Sequence, residues 1–347
     1  MILAGGVGSR FWPVSTPGRP KQLLPLVSER PLIRDTVDRI VPLVPQERLR
    51  ILTGGHLAEP VLATLPELGP GNLLLEPAAK GTAPALAWAA AEIERRDPEA
   101  VMVSLHSDHV IHPPEAFRAL IARAAELAAG HRRLFTIGAV PTRPETGYGY
   151  VRLGAGLPTL EEAPEGDAGY EVARFVEKPD RATAEGYLAS GEYLWNTGLF
   201  VWRAGDLLDE IERVSPELAE LVPIVRQGGM EEFFARAPSI SIDNAVLERS
   251  GRVGVLRADF AWDDVGAWDA VARTRGVESP GNCVVGEGYA VQSAGTTIYA
   301  EDGPVVAFGV EDLVIVRTHG ITFVAHRDRS PELKTLLAEL PERLRNL

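Results

Sequence analysis

The stretch Gly5-Gly6-Val7-Gly8-Ser9-Arg10, followed shortly by Lys21, has the residue types of a phosphate cradle. Successive peptide N–H groups in a glycine-rich turn point one way and form an anion-binding nest, and Arg10 and Lys21 add mobile positive charge beside it. Two better-known phosphate loops do not match. The mononucleotide loop ends in Gly-Lys-Ser/Thr, whereas Gly8 is followed by Ser9-Arg10, and the dinucleotide fingerprint needs a third glycine where Phe11 stands. Taken alone, the loop is also compatible with an ordinary glycine turn between two solvated cations.

Carboxylates form the second candidate group. Asp108 closes an apolar run, and Asp263-Asp264 lies in Trp262-Asp263-Asp264-Val265-Gly266. Magnesium takes hard oxygen ligands, commonly one or two carboxylates plus substrate phosphates, so two distant aspartates meeting at one edge would suit it. His106, His109 and His112 invite a zinc reading, which is rejected because they straddle a strand end with no cysteine near to complete a tetrahedral site. Of 35 basic residues, only Lys21, Lys80, Lys178 and Lys334 are lysine, and the first three fall inside candidate site segments. An ammonium is a compact point charge that fits at a single phosphate oxygen where a guanidinium fork does not.

These residues need elements to bring them together. The run at 1–4 reads as a buried strand feeding the glycine loop. Helical spacing of apolar residues follows at 31–41, 57–65, 82–95 and 113–129, interleaved with strand-like runs at 49–53, 72–76, 100–105 and 134–140. Thr82 is the expected N-cap of the third helix, with Pro84 just inside it. Such alternation gives an α/β fold with a Rossmann-like, doubly wound, mostly parallel sheet. Ligands then sit beyond the carboxyl ends of the strands, where Gly5–Arg10, Gly54-Gly55, Glu76 and His106-Ser107-Asp108 line up. From Gly147 onward the pattern changes to inserted antiparallel strands, and a further strand is read at 198–202. Short strands at regular intervals between 283 and 324 form a small C-terminal β unit, capped by a helix at 331–340. The resulting division is a catalytic unit at 1–278 and a β unit at 279–347.

Composition limits the partners. A formal net charge of −13 argues against nucleic acid and anionic membrane surfaces, both of which need a basic face. The single cysteine, Cys283, forms no intrachain disulfide, and no leader or long uncharged apolar run is present, so a cytoplasmic location is expected. Only four residues precede Gly5, which makes the first strand short and leaves room for a few residues upstream.

The segment Leu3-Ala4-Gly5-Gly6-Val7-Gly8-Ser9-Arg10-Phe11-Trp12-Pro13, followed by Pro20-Lys21-Gln22, resembles the signature of the sugar-1-phosphate nucleotidylyltransferases. It is most similar to their mannose-1-phosphate guanylyltransferase branch. The resemblance extends in order along most of the chain. Phe175-Val176-Glu177-Lys178-Pro179 looks like the family's sugar-phosphate motif, Asn196-Thr197-Gly198 its sugar-contacting segment and Gly147-Tyr148-Gly149-Tyr150 its close-approach glycines. The segment 241–248 reads as support behind the sugar site. The nucleoside segment 76–84 matches with one departure: Gly81 stands where the family usually carries Asn, which puts any contact from that side chain in doubt.

The resemblance implies a role for each position. Arg10, Lys21 and Lys178 would carry the catalytic charges. Leu3, Ala4, Gly5, Gly6, Gly8, Ser9, Glu76, Thr82, Pro84 and Ser107 would hold the nucleotide. Gly147, Tyr148, Glu177, Lys178, Asn196 and Thr197 would hold the sugar phosphate. Asp108 and Asp264, the latter matching better than Asp263, would hold Mg2+. The implied substrates are GTP and mannose 1-phosphate, and the C-terminal β unit is of a kind that often serves assembly. The regular strand spacing is compatible with a left-handed β-helix, and the unit serves either in a homodimer or simply as a stabilising cap. The form expected is monofunctional, since the stretch after 280 is short for an appended isomerase domain. The same chemistry with another sugar or base, such as glucose 1-phosphate with dTTP or UTP, is the nearest alternative. A catalytically silent nucleotide-sugar sensor is another, although it would be free to lose Lys21, Asp108, Lys178 or Asp264, and all four are present.

Overall fold

The fold is taken from a computed structural model, which describes residues 1–6, 8–158, 169–276 and 281–345. Helices and strands alternate through the first part: β1 (Ile2–Leu3), α1 (Leu32–Ile40), β2 (Ile51–Gly54), α2 (Ala58–Thr64), β3 (Leu73–Glu76), α3 (Thr82–Glu94), β4 (Val101–His106), β5 (Val110–His112), α4 (Pro114–His131) and β6 (Leu134–Ala139). Then come β7 (Gly149–Gly156), β8 (Tyr170–Glu177), α5 (Arg181–Ser190), β9 (Tyr193–Arg203), α6 (Ala204–Val214), α7 (Val222–Arg226), α8 (Met230–Arg236), β10 (Val253–Arg257), β11 (Ala261–Asp263) and α9 (Trp268–Arg275). The C-terminal part holds β12 (Cys283–Val291), β13 (Thr297–Phe308), β14 (Leu313–Thr318), β15 (Ile321–His326), α10 (Leu333–Glu339) and α11 (Glu342–Arg345).

The main sheet has nine strands in the order β3-β2-β1-β4-β9-β6-β10-β8-β7. Its first four are parallel, and the consecutive strands β1–β2, β2–β3 and β3–β4 are each joined through a helix that crosses back over the sheet. Antiparallel pairing begins where β9 runs between β4 and β6, is interrupted by the parallel β6–β10 pair, and resumes through β8 and β7. Helix α3 is buried from Ala83 to Ala91, and its small side chains let it lie close against α6 in the core on one face of the sheet. Helices α1 and α4 close the other face.

Thr82 is the first residue of α3 and not its cap. Gly81 occupies the N-cap position with φ +82°, and the Thr82 hydroxyl accepts the Ile242 N–H at 2.8 Å. The reason is tertiary: Ile240 pairs with Lys80 and Ala83 through backbone hydrogen bonds of 3.0 and 3.2 Å, so the cap side chain is used across this seam. A Cβ at Gly81 would lie 2.6 Å from the Ile240 carbonyl oxygen.

The C-terminal β unit winds as parallel strands β12, β13 and β14, closed by antiparallel β15. Runs that read as separate strands at 283–285 and 289–291 are one strand with a register shift between Gly286 and Gly288. Its interior is continuous with that of the segment after the glycine loop: Phe11, Trp12, Val14, Leu24, Trp268, Tyr299, Val316 and Leu333 share one core. The division expected between 278 and 279 lies outside the described residues. Among the described residues no helix is long and apolar enough to cross a membrane.

Candidate active site

The glycine loop turns at Gly8, whose φ is +70° and whose missing Cβ would lie 2.3 Å from the Lys21 Cβ. Only glycine allows Lys21 to approach so closely. The Lys21 side chain is 8% exposed, and its ammonium donates to Asp108 Oδ2 at 2.8 Å and to the Asp264 main-chain carbonyl at 2.6 Å. Gly8, Ser9, Arg10, Lys21, His106, Asp108, Asp264 and Gly266 line a cleft of about 520 Å³. Burial would raise the Asp108 carboxyl, but Lys21 and the neighbouring histidines outweigh it and bring the pKa down to about 2.

Two three-residue strands bring the distant aspartates together. β11 pairs antiparallel with β5, Asp263 opposite Val110, which carries Asp264 to the end of β4. Asp263 itself is occupied: it accepts the Arg273 guanidinium at 2.6 Å and the Val265 N–H at 2.8 Å. These bonds hold Val265, a fully buried β-branched residue, at φ +49°, a strained conformation that fixes the Asp264 turn. Asp264 Oδ1 accepts the Tyr148 hydroxyl at 2.5 Å, and Arg143 donates to that hydroxyl at 3.1 Å. Burial pushes the Asp264 carboxyl above its ordinary range, with Lys21 and Tyr148 pulling the other way.

Asp108 and Asp264 therefore present hard oxygen donors to one cleft, and a half-buried carboxyl with a raised pKa gains from a cation beside it. A divalent ion of the magnesium type fits this donor set. The histidines sort differently from the sequence expectation. His106 and His109 stack at 4.7 Å, and with Asp108 bring ligand atoms within 4.8 Å of one another, whereas His112 is exposed and apart. His109 Nδ1 already accepts the Trp262 indole N–H at 3.2 Å, and burial lowers the pKa of both rings.

A second cavity of about 280 Å³ adjoins the cleft through His106 and Asp108 and is lined by Leu3, Gly5, Gly6, Gln22, Glu76, Gly81, Thr82 and Ser107. Gln22, 2% exposed, donates to the Ala4 carbonyl at 2.8 Å and ties the loop to this floor. Ala4 is buried, with its carbonyl also taken by Thr53. Pro84 is buried inside α3 and is not among the lining residues. Burial raises the Glu76 pKa.

The third group lies at the ends of β8 and β9. Glu177 and Lys178 form an ion pair, and Lys178, at φ +47°, donates its N–H to the Tyr148 carbonyl at 3.2 Å. Asn196 donates to Asp243 Oδ1 at 2.9 Å and accepts the Thr136 hydroxyl at 2.8 Å. Burial and the Glu177 charge push the Asp243 carboxyl up to about 6. Thr197, expected to contact a sugar, is 2% exposed and donates its hydroxyl to the Ile137 carbonyl at 2.7 Å, because β9 begins earlier than the sequence indicates and takes it into the sheet. Gly147 and Tyr148 line a further cavity of about 230 Å³ beside Arg10 and Asp264, while Lys178 is not among the residues lining the cleft around Lys21.

Several residues escape a reading from sequence. Gln22 stands inside the Pro20-Lys21-Gln22 motif, but Arg143, Arg273 and Val265 act only through the β5–β11 pairing. Lys334, from α10, lines the cleft around Lys21, and its only sequence signal is that it is a lysine in a chain that prefers arginine.

A family profile described as nucleotidyl transferase matches residues 1–275, and one described as MannoseP isomerase/GMP-like beta-helix domain matches residues 286–340. The xanthan biosynthesis protein XanB of Xanthomonas campestris pv. campestris is 38% identical over 352 residues, covering 98% of this chain and 72% of that protein. A mannose-1-phosphate guanylyltransferase of Klebsiella pneumoniae is 37% identical over 357 residues, covering 100% of this chain and 74% of that protein. A crystal structure from Thermus thermophilus, described as a mannose-1-phosphate geranyltransferase, superimposes with a TM-score of 0.87 at 35% identity, covering 97% of both chains.

Proposed function

The chain belongs to the nucleotidyl transferase family, and from that premise we propose that it is a mannose-1-phosphate guanylyltransferase, converting mannose 1-phosphate and GTP to GDP-mannose and pyrophosphate. The observation that carries this reading is the convergence of Lys21, Asp108 and Asp264 on one cleft that opens, past His106, into a second cavity over the Gly5-Gly6 loop.

In the reaction an oxygen of the sugar phosphate attacks the α-phosphorus in line. The bond from that phosphorus to the bridging oxygen breaks, and pyrophosphate leaves with the electron pair. No covalent enzyme intermediate is needed, so the chain's work is alignment and charge neutralisation. Arg10 and Lys21 balance the charge of the departing pyrophosphate. Lys178 steadies the incoming sugar phosphate, with Glu177 and Asn196 available to sugar hydroxyls. Glu76 and Thr82 border the nucleoside. Asp108 and Asp264 would hold Mg2+, which when bound supplies positive charge to phosphate oxygens.

Two further parts of the reading concern the whole chain. Tyr289, Val291, Val306 and Phe308 stand 46–68% exposed on one face of β12–β13, Tyr289 beside Val306 and Val291 beside Phe308, which supports a homodimer through the C-terminal sheet. A cytoplasmic location without nucleic-acid or membrane partners accords with the acidic charge and the lone cysteine.

The test is a matrix of nucleoside triphosphates against sugar 1-phosphates with magnesium, read as pyrophosphate release. GTP with mannose 1-phosphate is expected to give the highest kcat/KM. A preference for glucose 1-phosphate with dTTP or UTP overturns the assignment.

A further inference from the structure

We infer that Lys334, supplied by the C-terminal unit, is a phosphate-binding residue for the terminal phosphates of the nucleotide and for the pyrophosphate they become. This rests on the triphosphate reading of the cleft. The Lys334 side chain lines the same cavity as Gly8, Ser9, Arg10 and Lys21. Pro331, three residues earlier in the same segment, lines the adjoining cavity with Arg10, Tyr148 and Asp264, so one face of this segment borders the site on both sides of Asp264.

The position is fixed. Leu333 is 2% exposed in the core that holds Phe11 and Trp12, and Leu336, Leu337 and Leu340 pack against it. The Trp12 indole N–H donates to the Leu344 carbonyl at 3.0 Å, joining the end of the phosphate loop to the end of the chain's last described helix. Arg19 and Glu301 of β13 add an ion pair of 2.7 Å between the segment after the glycine loop and the C-terminal unit.

Charge separates Lys334 from a bystander. Most arginines of this chain are spent on carboxylates, as in Arg273 with Asp263 or Arg249 with Glu217. Among the described residues Lys334 and Arg10 make no ion pair, although Asp108 and Asp264 line the same cleft. Two cations with no carboxylate partner, gathered at one cleft with the Lys21–Asp108 pair, favour an anion of high charge density there. A pyrophosphate group has that density; the phosphate of mannose 1-phosphate is also charged, but in this reading it is met by Lys178, which does not line this cleft.

Steady-state kinetics of the full chain test this with Lys334→Ala, Lys334→Gln and Lys334→Arg, run in both directions. Loss of one charge-assisted hydrogen bond is expected to raise KM for GTP and for pyrophosphate about tenfold in the Ala and Gln variants. KM for mannose 1-phosphate and GDP-mannose is expected to stay unchanged, and Lys334→Arg to recover part of the loss. Lys334→Gln keeps the side-chain stem and so the packing of α10, which circular dichroism verifies. An unchanged KM for pyrophosphate, or an equal rise for all four substrates, overturns the inference. Calorimetric binding of pyrophosphate to wild type and Lys334→Gln needs no turnover. If wild type fails to use GTP with mannose 1-phosphate, the functional reading falls, while weaker pyrophosphate binding by Lys334→Gln still supports the site and equal binding still overturns it.

Discussion

Asp108 and Asp243 are half-buried carboxyls pushed in opposite directions by their neighbours, and the difference is readable in pH. At Asp108 the Lys21 ammonium wins and the pKa falls to about 2, so its contribution to stability is present above the unfolded value near 4 and is lost as pH falls toward 2. At Asp243 burial and Glu177 win and the pKa rises to about 6. The folded chain then holds a proton that the unfolded chain has released, so this contribution is present below about pH 4 and is lost as pH rises through 6. Asp243→Asn is therefore expected to remove a decline of Tm between pH 4 and 6 that wild type shows, and parallel thermal melts would check it. An identical decline in both proteins would refute the assignment. Asp108 was legible as a carboxylate closing an apolar strand, whereas Asp264 and the segment holding Asp243 were reached only through the family resemblance. The partners that set their chemistry are not local: Tyr148 meets Asp264, and Asn196 meets Asp243, across distant parts of the chain.

At the scale of elements, the seam between residue 240 and the start of α3 explains why glycine stands at 81. With φ +82° and the Ile240 carbonyl 2.6 Å from a Cβ position, a side chain would force apart a backbone pairing held on both sides. Restoring the family's usual residue with Gly81→Asn is expected to destabilise the fold by about 1–3 kcal/mol and to raise KM for GTP. Denaturant melts of the two proteins decide this, and equal stability would contradict it. The alternation of strands and helices up to β6 was legible because long apolar periods survive in sequence. β5 and β11 were not, since three residues carry no period, yet their pairing is what brings Asp264 to Asp108. Helices α5, α7 and α9 were not read either. Thr82 misled as a cap because its hydroxyl serves a tertiary contact.

At the scale of the molecule, the C-terminal unit does two jobs with two faces. One shares a core with the phosphate loop and delivers Lys334. The other leaves Val306 and Phe308 68% and 65% exposed. Val306→Lys with Phe308→Lys is expected to convert a dimer of the 37.5 kDa chain to a monomer without loss of fold, read by light scattering across a gel-filtration peak. A wild-type protein that is already monomeric would refute the interface. The small β unit was foreseen from the strand spacing between 283 and 324. Its attachment to the active site was not, because Trp12 and Leu344 lie at opposite ends of the chain.

The central claim is that Lys21 and Asp264 act in one electrostatic cleft on a triphosphate. Pyrophosphate release from GTP and mannose 1-phosphate with magnesium should be followed for wild type, Lys21→Ala and Asp264→Asn, with folding confirmed for each. The account predicts that wild type turns over and that each variant loses about 10²–10³ in kcat. Wild-type rates in both variants would contradict it.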